Sequence, residues 1–210
     1  MSHVEFTKEM KKTHTILVPM MLPIHFQFLR NILCKEGYRV EILKTEGQQI
    51  IDEGLKNVHN DTCYPALLVI GQMIDALKSG KYDTAHIALA ITQTGGGCRA
   101  SNYIHLLRKA LVQAGFEHVP VISVNFSQLE KNSGFKLTPK MLLRLLYAFL
   151  YGDMLMWIKN QCKPYELEKG STDALVTTWI DTITAQFDSL SYMRMKHNYQ
   201  EMLHDFAALP

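Results

Sequence analysis

Short apolar runs alternate with helix-length amphipathic segments along the first 126 residues. Residues 15–19 (TILVP), 39–43 (RVEIL), 86–91 (HIALAI) and 119–124 (VPVISV) read as four buried strands. Between them, apolar positions recur at helical spacing. One helix follows Pro23 and runs to about Glu36, where Gly37 stops it. Residues 48–58 carry Ile50, Ile51, Leu55 and Val58 on one face, and a further helix starts near Pro65 and runs to about Leu77. A fourth spans residues 102–114 and ends at Gly115. Pro120 has no N–H to give a ladder, so the last strand is expected at a sheet edge or beginning at Val121. Strands that alternate with helices predict an α/β domain with a mostly parallel four-stranded sheet flanked by helices, Rossmann-like in its organisation.

The period changes after Ser127. Residues 138–159 form a long apolar helix opened by Thr138-Pro139, and residues 172–208 carry an almost unbroken helical pattern. Three parts result: a polar lead-in over 1–14, an α/β domain over 15–126, and a helical extension over 127–210 that packs on that domain or on neighbouring ones.

Composition narrows the class without naming a function. Apolar residues make up 47% of the 210 and charged residues 20%, with a formal net charge of +2. That balance is ordinary for a soluble domain and argues against a nucleic-acid or membrane-surface partner. Residues 1–14 are polar, which reads as no signal peptide. The longest apolar stretch, 141–158, is interrupted by Arg144 and Asp153, so no membrane span is expected and the cytoplasm is the expected compartment.

Candidate chemistry concentrates in two cysteine turns. The first is NDTCYP around Cys63, where Asn60, Asp61 and Thr62 offer capping and turn chemistry before a helix. The second is TQTGGGCRASNY, in which Gly95, Gly96 and Gly97 precede Cys98 and Arg99 between a strand end and a helix start. Carboxyl ends of parallel strands carry ligand sites, and helix starts favour negative charge and lower the pKa of a thiol placed there. Glycines let the backbone turn sharply and approach a bulky group. The standard phosphate patterns fail letter by letter. No lysine follows the glycines as a Walker A loop requires, Ala100 stands at the last glycine of G-x-G-x-x-G, and Ile104 stands where a cysteine-phosphatase loop needs arginine. A phosphate-bearing ligand held by another arrangement of this turn stays open. None of the four cysteines stands in C-x-x-C spacing, which removes a locally encoded zinc ribbon. Cys34, on an amphipathic helix, reads as a small buried residue, and Cys162 as structural or at the surface. Met20, Met21, Met154 and Met156 read as gap-filling core, and Trp157 and Trp179 as helix-to-helix packing.

NDTCYPALLVIGQMIDALKSGKYD, followed by TQTGGGCRASNYIHLLRKAL and VPVISVN, resembles the iron–sulfur family around 2-hydroxyacyl-CoA dehydratases. Within that group it looks most like the large acyl-CoA dehydratase activase-related proteins, with the likeness covering residues 15–166. The resemblance implies a [4Fe–4S] or related cluster on cysteine thiolates, in an ATP-dependent low-potential electron-transfer system. It implies Cys63 and Cys98 as metal ligands. Gly95, Gly96, Gly97 and Arg99 would line the cluster, and Ser101 and Asn102 would hydrogen-bond around it. A cubane normally takes three or four cysteines; the third is open among Cys162, Cys34, another segment or a partner chain. The chain carries no ATPase signature, so other domains of a larger activase- or dehydratase-like protein, or a partner subunit, are the implied partners, with any acyl-CoA substrate bound elsewhere. Tyr64 and Tyr103 flank the two turns and would shield a cluster from water or simply pack.

Overall fold

The computed structural model describes residues 4–59, 61–92, 103–124 and 133–209. Its elements are α1 (Met10–Thr13), β1 (Thr15–Val18), α2 (Pro23–Lys35), β2 (Arg39–Ile42), α3 (Gln48–Asn57), α4 (Tyr64–Lys78), β3 (Ile87–Thr92), α5 (Tyr103–Ala114), β4 (Val121–Val124), α6 (Pro139–Cys162), α7 (Ser171–Ala185) and α8 (Tyr192–Ala207). They fall into two compact units that cut across sequence order. One comprises Met1–Met21 with Leu33–Lys136, the other Leu22–Ile32 with Leu137–Pro210.

The first unit is built on a four-stranded sheet in the order β2-β1-β3-β4, parallel at every pairing. β4 is an edge strand and begins at Val121; the Pro120 carbonyl still accepts from the Leu89 N–H at 2.9 Å, so the proline costs the ladder only the donor it lacks. Leu17, Leu89, Ile91 and Val121 point to one face and pack into one core with Ile70, Met73 and Ile74 of α4 and Ile104 and Leu107 of α5. Alternate residues on the other face, Ile16, Val18, Ala88, Ala90 and Ile122, are buried too. Burial on both faces explains why the strands read as continuous apolar runs.

α3 and α4 pack antiparallel and unusually close. A Cβ on Gly71 would stand 1.9 Å from the Ile50 carbonyl oxygen, and one on Gly54 would stand 2.5 Å from that of Leu67. Only a residue without a side chain fits at either position. Glu53 of α3 adds an ion pair to Lys78 of α4 at 2.6 Å, which lowers the pKa of the Glu53 carboxyl. The lead-in is tied down rather than loose. Phe6 is fully buried, its carbonyl accepts from the Gly134 N–H at 2.9 Å, and the Tyr38 hydroxyl donates to the Gly134 carbonyl at 3.3 Å.

The second unit is helical: most of α2 clusters with α6, α7 and α8. Phe28 meets Phe187 with ring centroids 6.1 Å apart, and Asn31 donates to Thr184 Oγ1 at 3.0 Å. The continuous helical pattern over 172–208 is broken between Ala185 and Tyr192. Ser191 caps α8 there by accepting from the Arg194 N–H, which is the local chemistry that ends the run. By length and composition alone α6 is apolar enough to cross a membrane, with Arg144 and Asp153 inside it. One side of it is nonetheless a bundle face, with Tyr151, Leu155 and Ile158 buried and Arg144 bonded to Asp188 at 2.5 Å. Trp179 packs as expected and its Nε1 donates to Asp205 of α8, whereas Trp157, Met21 and Met156 are exposed.

Candidate functional site

In a sheet ordered 2-1-3-4, β1 leads to one side and β3 to the other. The carboxyl edge between them is therefore the topological switch point, where open α/β sheets bind ligands. Residues 19–22 leave β1 there, β3 ends there at Thr92, and the described chain resumes at Tyr103. The expected site residues Gly95, Gly96, Gly97, Cys98, Arg99, Ser101 and Asn102 lie outside the described residues.

Cys63 is described and sits at the N-cap of α4. Its side chain makes no capping bond; its carbonyl accepts from the N–H groups of Ala66 and Leu67. Pro65 stands in the first turn, where its missing N–H breaks no helical bond. With the backbone so occupied, the thiol turns outward. Its Sγ lies 3.1 Å from the hydroxyl of Tyr103, the first residue of α5. Cys63 is exposed while Tyr103 is buried, so a fixed phenol holds an accessible sulfur. Tyr64, on the other flank, is exposed. The starts of α4 and α5, two positive helix ends, are thus brought to one place, and the segment that carries Cys98 ends there.

Two other cysteines are described. Cys162 is the last residue of α6 in the second unit and is half-buried. Cys34 is exposed on α2 and not buried as expected; its neighbours Ile32 and Leu33 take the inward positions. Among the described residues, no group of three or more His, Cys, Asp and Glu side chains stands close enough to hold a metal ion.

Two features of the edge escaped the sequence reading. Gln72 is buried in the middle of α4, where its Oε1 accepts from the Met20 N–H at 2.9 Å and its Nε2 donates to the Thr45 carbonyl at 2.8 Å. One amide therefore ties the segment after β1 to the segment after β2. Its signal was present as a polar residue inside the apolar run VIGQMI. The second is a cavity of about 300 Å³ between the end of α3 and the outer face of α5, lined by Lys56, His59, Leu106, Lys109 and Gln113. Gln113 donates to the Lys56 carbonyl at 2.7 Å, which satisfies a last-turn carbonyl that α3 cannot pair internally. Lys56, His59 and Lys109 come together only through the packing of α3 and α5, and no spacing in the sequence announces them.

No protein-family model, curated protein or solved structure matches this chain.

Proposed function

We propose that the chain is an iron–sulfur cluster-binding module of an acyl-CoA dehydratase/activase-like system for ATP-dependent low-potential electron transfer, with Cys63 and Cys98 as thiolate donors. The observation that carries this reading is the Cys63 sulfur, exposed at a helix start and 3.1 Å from the residue that ends the Cys98 segment. Its donor chemistry fits: a solvent-facing thiol at a positive helix end suits a thiolate ligand. The fit extends to one donor among the described residues, so Cys98 has to come from residues 93–102. Cys162, Cys34 or a partner chain would have to supply a third. A bound cluster supplies a one-electron couple. The chain's own part would be to hold the Cys63 sulfur through Tyr103, with glycine N–H groups at 95–97 and the Ser101 and Asn102 side chains as the hydrogen-bond donors to a cluster.

Anaerobic reconstitution with ferrous iron and sulfide tests it. The expected result is a brown protein with bound iron and charge-transfer absorbance, both lost in a Cys63→Ser/Cys98→Ser double variant. A chain that takes up no iron, or a double variant that takes up as much, overturns the reading.

A second reading rests on the lysine-lined cavity between α3 and α5. Lys56, His59 and Lys109 suit a phosphate-bearing or CoA-type ligand used without metal. Titration calorimetry with coenzyme A separates the two: binding to iron-free protein that is lost in Lys109→Glu supports this reading, and no heat at millimolar ligand removes it.

A further inference from the structure

The long apolar helix α6 presents two different sides. Met141, Arg144, Ala148, Tyr151, Leu155 and Ile158 face inward. On the outward side, Leu142, Phe149 and Met156 recur every seven residues, as do Leu143, Leu150 and Trp157 beside them, with Leu146 between the two rows; all are exposed. This is the spacing of a helix seam that packs against another helix, not a scatter of single surface leucines.

We infer that this outer face of α6 is the interface of a homodimer, in which the α6 helices of two copies pack antiparallel. Three observations select a second copy. The first is area: the seven side chains leave roughly 700 Å² of mostly apolar surface in water, close to the roughly 800 Å² per partner of a standard stable interface. The second is charge. Over the middle of the seam the flanking positions, Leu145, Tyr147, Gly152 and Met154, carry none, and the lysines at its two ends, Lys140 and Lys159, are paired with Asp188 and Asp173 of their own chain, so nothing there selects a partner of complementary charge, and an apolar seam fits its own copy. The third is Asp153, which takes the seam position between Phe149 and Met156. Its side chain is 70% exposed, and its Oδ1 lies 3.0 Å from Nε2 of the buried His25. A parallel pair in register would set Asp153 against Asp153 of the partner subunit inside an apolar seam. An antiparallel pair separates the carboxylates along the seam and opposes the helix dipoles.

A lipid occupant fits less well. To span a bilayer α6 would have to carry α7 and α8 in with it, since its inner face is packed against them. α7 exposes Thr177 and Thr178 and pairs Asp173 with Lys159 and Lys163, and Arg144 is committed to Asp188.

Sedimentation velocity on the full chain between about 1 and 100 µM reads the state directly, with Trp157 fluorescence as a second signal. The expected result is a species of twice 24.0 kDa that dissociates on dilution, with Trp157 emission moving to the red as it does so. In Leu146→Glu/Phe149→Glu the dissociation constant should rise at least about 100-fold at unchanged far-UV dichroism, because both residues are exposed in the monomer. Phe149→Cys, near the middle of the seam, should form a disulfide to its own counterpart while Leu142→Cys at its end does not, with mass spectrometry identifying the linked peptides. A monomer at every concentration overturns the inference, whether or not it then binds neutral or anionic vesicles. A dimer that persists in the double glutamate variant overturns it as well. Efficient Leu142→Cys self-linking overturns the antiparallel arrangement.

Discussion

Replacing Gly71 by alanine tests how α4, and with it Cys63, is held. The added Cβ would stand 1.9 Å from the Ile50 carbonyl oxygen and 2.8 Å from the Gly54 nitrogen, both backbone atoms of α3 that cannot swing aside. Ordinary contact begins near 3.4 Å, so the two helices must part by about 1.5 Å locally. A gap of even 0.5–1 Å forfeits about a quarter to a half of each dispersion contact it opens, and Ile50, Leu67, Ile70 and Ile74 lie buried around the crossing. Overpacking of this kind costs about 3 kcal/mol, at the upper end of the usual range because no rotamer change relieves it. Higher helix propensity of alanine returns about 1 kcal/mol. The net loss of about 2 kcal/mol lowers the melting temperature by about 4–8 °C in a chain of this size, read by far-UV circular dichroism. Gly80→Ala is the control, since a Cβ there meets nothing within 4 Å and the cost is only that of φ +70°, about 1 kcal/mol. Were Gly71→Ala to melt at or above the parent temperature, as propensity alone dictates, the close crossing of α3 and α4 would be refuted.

Gln72→Leu should cost about 2 kcal/mol in urea unfolding, because the Met20 N–H and Thr45 carbonyl each lose a partner; a loss under about 0.5 kcal/mol would mean water replaces the amide without penalty. Gly152→Ala puts a Cβ 2.6 Å from the His25 ring and should destabilise the helical unit by about 2 kcal/mol, a loss that a parent-like melting curve would deny. Burial and the neighbouring His86 hold the His14 imidazole below its ordinary pKa, partly offset by Asp83. The unfolded chain therefore takes up that proton first as pH falls. His14 contributes stability that is present above about pH 6.5 and is lost as pH falls through its folded pKa. His14→Gln should flatten that part of the stability–pH curve, and an unchanged slope would show that His14 does not titrate differently on folding.

The α/β alternation was legible because each element carries its own period. TILVP and HIALAI are too apolar and β-branched to be anything but buried strands, and Gly37 and Gly115, both at positive φ, stop their helices where the letters put the stops. What depends on packing was not legible. Gly54 and Gly71 look like weak points in two helices until α3 and α4 are set against each other. Cys34 and Leu33 are neighbours whose inward and outward assignments depend on a helix phase that the surrounding apolar letters do not fix. Exposure of Trp157 could not be read, because the pattern of α6 is apolar on both sides and gives no sign of which side its own chain covers. At the site, the sequence offered Cys63 and the glycine turn as separate motifs 35 residues apart. What packing adds is that the starts of α4 and α5 meet, with the Tyr103 hydroxyl 3.1 Å from the Cys63 sulfur, which no spacing in the sequence announces.

Differential alkylation tests most directly whether Cys63 and Cys98 act together as ligands. Anaerobically reconstituted protein and its iron-free form are treated briefly with iodoacetamide, and modification is quantified at each cysteine by peptide mass spectrometry. The account predicts that Cys63 and Cys98 are protected together in the reconstituted form and modified together without iron, while exposed Cys34 reacts in both unless it is the third ligand. Equal modification of Cys63 with and without bound iron would contradict it.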